Sequence, residues 1–187
     1  MSTATAAEMP AIVTASEEQR YAELQLIALD HARCGETEPL VAMVKAGLPV
    51  NLADAKGNSL LMLATYHGHA ETALMLLGHG ADVDRRNDRG QTPLGGAAFK
   101  GERDIVALLL AYRADIDADN GGGMTAIMYA AMFGRTEVVK QLQAHGASLR
   151  QRNRLGISAK TMVRISQWLS RLFQILRFKP GRHSRPA

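Results

Sequence analysis

Three sets of residues in this chain are of a type that can do chemistry. His67, His69 and His79 invite a metal site, Cys34 offers a thiol beside Arg33, and Gly121-Gly122-Gly123 is a loop slim enough to approach a phosphate. Each chemistry demands partners. A zinc site needs three or four His, Cys or carboxylate ligands at defined spacing, and no Cys or acidic partner recurs at ligand spacing from these histidines. A nucleophilic thiol needs a base that is itself oriented by a third group, and no His–acid pair is placed for Cys34. A phosphate loop of the Walker type needs a preceding strand and a Lys-Ser/Thr pair, and both are missing. The residues define no catalytic, metal-binding or cofactor-binding constellation, so a non-enzymatic protein without a cofactor is expected.

The glycines have a better explanation. Gly57, Gly90, Gly123 and Gly156 follow one another at intervals of 33 residues. Gly35, Gly68, Gly101 and Gly134 keep the same step, and so do Leu40, Ala73, Val106, Val139 and Leu172. A fixed period of this size marks a repeat array, whose units are too small to bury an apolar face alone and must stack. Residues 87–119 show one unit clearly. Asn87-Asp88-Arg89-Gly90 reads as a tight turn, because Asn and Asp bond their own backbone and Gly accepts positive φ. Thr92-Pro93 then starts a helix, with Thr as N-cap and Pro at the first position, where its missing N–H costs nothing. This helix runs to about Phe99 and breaks at Gly101. A second helix carries Ile105, Val106, Leu109 and Leu110 at helical spacing and ends near Ala111. The unit 54–86 repeats the grammar with Ser59 as cap and Leu74, Leu76 and Leu77 in the second helix. The unit 120–152 repeats it with Thr125 as cap and Val138, Val139 and Leu142.

Gly90-Gln91-Thr92-Pro93-Leu94, Ala97-Ala98, Gly101 and Gly80-Ala81-Asp82-Val83 resemble the ankyrin repeat, over about residues 21–166. The resemblance implies an all-α solenoid of stacked helix-turn-helix units joined by β-turn or hairpin loops, with four to five repeats including caps. His69 stands where the family commonly has His. The family's usual His after Pro-Leu is absent, its place taken by Met62, Gly95 and Met128, so looser turns are expected. Gly95-Gly96 costs about 1 kcal/mol per glycine within a helix, which marks the first helix of that unit as the weak point. Arg113 stands where the family usually has a terminal Gly.

The chain divides into a disordered segment at 1–16, an N-terminal capping helix and first repeat at 17–53, repeats at 54–86, 87–119 and 120–152, a degenerate C-terminal capping repeat at 153–178, and a basic disordered tail at 179–187. Ser16 and Gln19 form a capping-box pattern for a helix that runs to Cys34 and packs through Tyr21, Leu24 and Ala28. At the other end Leu76, Leu109, Leu142 and Ile175 hold one register, so Leu172, Ile175 and Leu176 are expected to cap the stack. Gln167 replaces the glycine that would break this last helix.

Charge is unevenly spread. The whole chain carries +4, yet residues 1–149 hold 12 Lys+Arg against 18 Asp+Glu, whereas residues 150–187 hold 10 Lys+Arg and no acid. The acidic body opposes nucleic-acid binding, and no recognition motif for it is present. A single cysteine, no basic start for a secretory signal and no long apolar run point to a soluble, cytoplasmic protein, expected as a monomer.

The resemblance implies binding to a protein partner on a concave face, through turn tips and the ends of the first helices. Tyr66, Phe99 and Met132 lie 33 residues apart at those helix ends and should form an apolar ladder, with His67, Lys100 and Phe133 beside them and Arg86, Asp88 and Arg89 on the turn rim. Large apolar groups that packing does not require are candidate anchors. A second expectation is docking on a membrane surface. Trp168, Leu169, Leu172, Phe173, Leu176 and Phe178, with Arg164, Arg171, Arg177 and Lys179, make a basic amphipathic helix.

Overall fold

The computed structural model describes residues 15–177, and their side chains as far as Leu172. The segments expected to be disordered lie almost wholly outside these residues. Within them the chain forms α1 (Ala15–Cys34), α2 (Thr37–Lys45), α3 (Leu60–Tyr66), α4 (Ala70–Gly78), α5 (Pro93–Lys100), α6 (Arg103–Ala111), α7 (Ala126–Met132), α8 (Thr136–Ala144) and α9 (Ala159–Arg177). The odd-numbered helices pack side by side in one layer, α2, α4, α6 and α8 form a second, and short loops join each pair. Among the described residues, β pairing is confined to isolated bridges at Ala53–Ser59 and Arg152–Ser158 in the inter-unit loops.

Helices of seven to nine residues, such as α3 to α8, are marginal by themselves in water. Their burial holds them. Leu76, Leu109 and Leu142 are completely buried in successive second helices, as are Leu60, Leu94 and Ile127 in successive first helices. Leu74, read from sequence as part of the stripe, is instead exposed.

Caps follow the expected positions with one exception. The Ser59 hydroxyl accepts from Met62 N–H at 3.1 Å, and the Thr92 hydroxyl accepts from Gly95 N–H at 3.1 Å. Thr125 occupies the N-cap of α7, but its buried hydroxyl makes no hydrogen bond; the Met128 N–H bonds the Thr125 carbonyl instead, at 3.0 Å. Ser16 is not an N-cap, because α1 already includes Ala15.

Side-chain amides and carboxylates hold the turns. Asp54 Oδ1 accepts from the backbone of Lys56 and Asn58, Asn87 Oδ1 from Arg89 and Gln91, and Asn153 Oδ1 from Leu155 and Ile157, all within 3.1 Å. In the unit between the last two the pattern slips by one residue. Asp119 takes the role, accepting from Gly121 and Gly123 at 2.9 and 2.8 Å. Three consecutive positive-φ glycines, at 96°, 69° and 75°, let the loop follow that slip.

The slip frees Asn120 to turn inward. It is 2% exposed, its Oδ1 accepts from the Thr92 N–H at 2.8 Å and from the Thr92 hydroxyl at 2.9 Å, and its Nδ2 donates to the Ala118 carbonyl at 2.9 Å. A methyl group on Gly95 would overlap the Asn120 carboxamide. Gly95 is therefore not simply a weak helix residue, because the room left by its missing side chain is filled. A side chain from the following unit fills that place and ties the two units together.

Both terminal helices outrun their neighbours. At 1.5 Å per residue α1 spans about 30 Å and α9 about 28 Å, against about 10 Å for α3 and α7. Only the C-terminal part of α1 can lie on α3, so Ala28, Leu29 and Ala32 are buried while Tyr21 and Leu24, expected to pack, are exposed. Likewise α9 is one unbroken helix that lies chiefly against α7 through Ala159 and Val163, with Leu172 half-buried. The degenerate unit thus supplies a first-layer helix, not a separate second helix. Of the residues expected to cap the stack, Ile175 and Leu176 lie beyond the described side chains.

Two glycine substitutions separate helix propensity from packing. Gly96→Ala would meet Met62 Sδ and the Tyr66 ring at 3.5 and 3.6 Å, ordinary contacts, and should be neutral or stabilising by up to about 1 kcal/mol. Gly95→Ala should cost about 1–3 kcal/mol by displacing the buried Asn120 bonds, despite the same gain in propensity. Urea unfolding of both variants checks the pair, and equal effects would contradict the role given to Asn120. In the same assay Leu109→Ala should lose about 2–5 kcal/mol.

Candidate protein-binding groove

The groove lies between the turn tips and the ends of the first helices. It is about 600 Å³ in volume, and its lining includes Asp54, Lys56, Asp88 and Arg89 from the turns and Met62, Leu63, Tyr66, His67, Phe99 and Tyr129 from or next to the helices. Gly96 stands in register between Leu63 and Tyr129, so at this one position the middle unit lines the groove without a side chain.

An aromatic run borders the groove. The Tyr66 and Phe99 rings stack with centroids 6.2 Å apart and planes 13° from parallel, and Phe99 meets Phe133 edge-to-face at 4.3 Å. Such geometries are favourable beyond the area they bury. The Lys100 ammonium lies 5.2 Å from the Tyr66 ring centroid, within cation–π reach. Tyr66, Met132 and Phe133 are exposed, and Phe99, flanked by two rings, is half-buried. All are far more open than Leu76, Leu109 and Leu142. The ladder differs from expectation in its last rung: the ring contact passes to Phe133, and Met132 is the most exposed of the group at 52%.

Electrostatics around the groove follow from its hydrogen bonds. Burial pushes the Asp54 carboxyl up, but bonds from the Asn58 side chain and from the Asn58 and Lys56 backbones, with the Arg33 charge, hold it below the usual carboxylate range. Burial, and then repulsion from His69, Arg33 and Lys100, lower the His67 pKa and so favour the neutral ring. Arg33 is occupied by Asp30 at 2.8 Å and Asp54 at 3.9 Å. Among the described residues Lys56, Arg89 and Lys100 form no ion pair, which leaves three cations available at the groove and its edge.

Of the residues read from sequence, Tyr66, His67, Asp88, Arg89 and Phe99 line the groove; Lys100 and Phe133 flank it through ring contacts, while Arg86 and Met132 are exposed but outside the lining. Sequence reasoning missed Tyr129, Met62 and Gly96 in the lining. The available signal was the 33-residue register of Leu63, Gly96 and Tyr129. Asp84 is committed to the next turn: its carboxylate accepts from the Asp115 N–H at 3.0 Å, as Asn51 accepts from Asp82 and Asp117 from Ser148.

The histidines have structural surroundings. His69 Nε2 lies 3.0 Å from the Arg33 carbonyl, and Arg135, two units later, donates from Nε to the Phe99 carbonyl at 3.0 Å. His79 Nδ1 lies 2.9 Å from the Met75 carbonyl. Among the described residues no group of three or more His, Cys, Asp and Glu side chains is placed to hold a metal ion. No described helix is long and apolar enough to cross a membrane.

Stacked helix pairs joined by turns that project to one side define a helical-repeat solenoid. The profile for ankyrin repeats (3 copies) matches residues 28–120 and 61–153, more than half of the chain, and the chain belongs to the ankyrin-repeat family. It is also 56% identical over 43 residues to a protein of Pseudomonas aeruginosa whose name describes it as an ankyrin repeat protein; the match covers 23% of this chain and 25% of that relative. The chain thus spans about a quarter of the length of the curated relative it matches. Members of the family are generally non-enzymatic and mediate protein–protein interaction.

Asp84 has a pH signature. Burial raises its pKa, the Asp115 and Asp82 charges add to this, and the Asp115 N–H and Arg86 only partly offset them. The folded state therefore binds this proton more readily than the unfolded state, and the ionised carboxylate withdraws stability as pH rises through and above its ordinary range. Asp84→Asn keeps an acceptor for the Asp115 N–H. It should be more stable than the parent at pH 7, and the difference should vanish near pH 3 in urea unfolding at the two pH values.

Proposed function

We propose that this chain is a non-enzymatic interaction module that holds a segment of a partner protein in the groove. The observation that supports it best is the Tyr66–Phe99–Phe133 aromatic run bordering a cleft that Gly96 lines without a side chain. An apolar side chain of the partner fits against these rings, where large contact area is gained with little loss of rotamer freedom. Lys56 and Arg89, which form no ion pair among the described residues, and Lys100 over the Tyr66 ring are placed to orient carboxylates that flank the anchor. Asp88, also exposed, selects against a partner whose anchor is surrounded by acid alone. Arg86, His67 and Met132 complete the rim.

Anchors and core residues should respond differently. Phe99→Ala should weaken partner binding by about 2 kcal/mol or more and cost less stability than the roughly 3–5 kcal/mol of a fully buried Phe. The experiment is affinity capture from an extract of the native host by the parent chain, followed by titration of the captured protein against Phe99→Ala and the exposed control Leu74→Ala. Loss of binding in Phe99→Ala alone, with the fold intact by circular dichroism, is the expected result. Unchanged binding would remove the groove from the interface.

A further inference from the structure

We infer that the outer face of α9 docks on an anionic membrane surface. Among the described residues no further helix covers the outer face of α9, and that face is not the polar one that an outermost repeat ordinarily turns to water. Its inner face, with Ala159 and Val163, packs on the array. Its outer face carries Ile165, Trp168 and Leu169, exposed to 52%, 62% and 40%. These residues follow one another at the i, i+3, i+4 spacing of a single apolar stripe. The stripe is exposed because α9, at 19 residues, continues well past the seven-residue α7 on which it rests.

Charge selects the occupant. Arg164 and Arg171 are exposed and project along one side of this stripe, at about 100° spacing per residue. Arg150, Arg152, Arg154 and Lys160 are exposed at the same end of the array. No acid occurs from residue 150 onward, whereas the preceding 149 residues carry a net −6, from 12 Lys+Arg and 18 Asp+Glu. An apolar stripe of Ile, Trp and Leu flanked by arginines matches the boundary between acyl chains and anionic headgroups. The acidic body is repelled from the same surface, so the molecule would sit on its C-terminal end with the groove clear of the lipid. Docking by α9 is independent of the groove, and either can fail without the other.

Trp168 is the only tryptophan in the chain, so its fluorescence reports on this face directly. The full chain is titrated with vesicles of phosphatidylcholine alone and with vesicles containing about 30% phosphatidylglycerol. The expected result is a blue shift of Trp168 emission and co-sedimentation with the anionic vesicles only, both reversed by 0.5 M salt. Arg164→Glu combined with Arg171→Glu, both surface changes, should reduce vesicle binding about tenfold or more with an unchanged melting temperature. Ile165→Ser should also weaken it. Three results would overturn the inference: no shift with anionic vesicles, equal binding to neutral vesicles, or a blue shift without vesicles that grows with protein concentration, which would assign the stripe to a second copy of the chain.

Discussion

None of the short helices in this protein can bury its apolar side by itself, and everything else in the structure answers that constraint. A helix of seven residues gains too few hydrogen bonds to offset its nucleation, so it persists only when neighbours cover it on both sides. Leu76, Leu109 and Leu142 meet that need in the second layer, and Leu60, Leu94 and Ile127 in the first. Each unit is covered by the unit before it and the unit after it. Stability is therefore shared along the array, and in the first layer the outermost described helices, α1 and α9, are longer than those between them.

Polar groups set the spacing between units. Asp54, Asn87 and Asn153 staple their own turns, while Asn51, Asp84 and Asp117 reach across to the next turn. Buried amides and hydroxyls must find partners or cost stability. Asn120 shows how one unit departs from the others while the carboxamide stays bonded. Asp119 takes over the turn, three glycines absorb the slip, and the freed carboxamide occupies the space that Gly95 leaves, bonding Thr92. What reads locally as a defect in one helix is a contact between two units.

The same architecture separates two surfaces. The groove is framed by turn tips and helix ends, the parts of each unit that stacking does not consume, so residues there are free to differ between units. Leu63, Gly96 and Tyr129 occupy one register with three different side chains, and this difference gives the groove its shape. The C-terminal end is chemically distinct, with arginines beside an exposed apolar stripe and no acid to balance them. The two surfaces share no residue, so one can be altered while the other is preserved.

The 33-residue period by itself determined that the chain is a repeat array, the approximate helix boundaries of the clearest unit and the burial of Leu76, Leu109 and Leu142, because a repeat constrains each position through every other unit. The residues around Thr92-Pro93 carried the likeness to the family. The period also located Tyr66 and Phe99 at open helix ends. Only the tertiary structure decided the rest. That Phe133 and not Met132 meets Phe99, that Asn120 fills the place of a missing histidine, that Asp84 is spent on Asp115 and that Tyr21 and Leu24 project into water all depend on which atoms of adjacent units come within contact. A periodic pattern specifies where a residue lies within its own unit. It carries no information on a side chain that crosses to the next unit, or on a terminal helix that outruns its neighbour, because those depend on distances between units that the pattern does not encode.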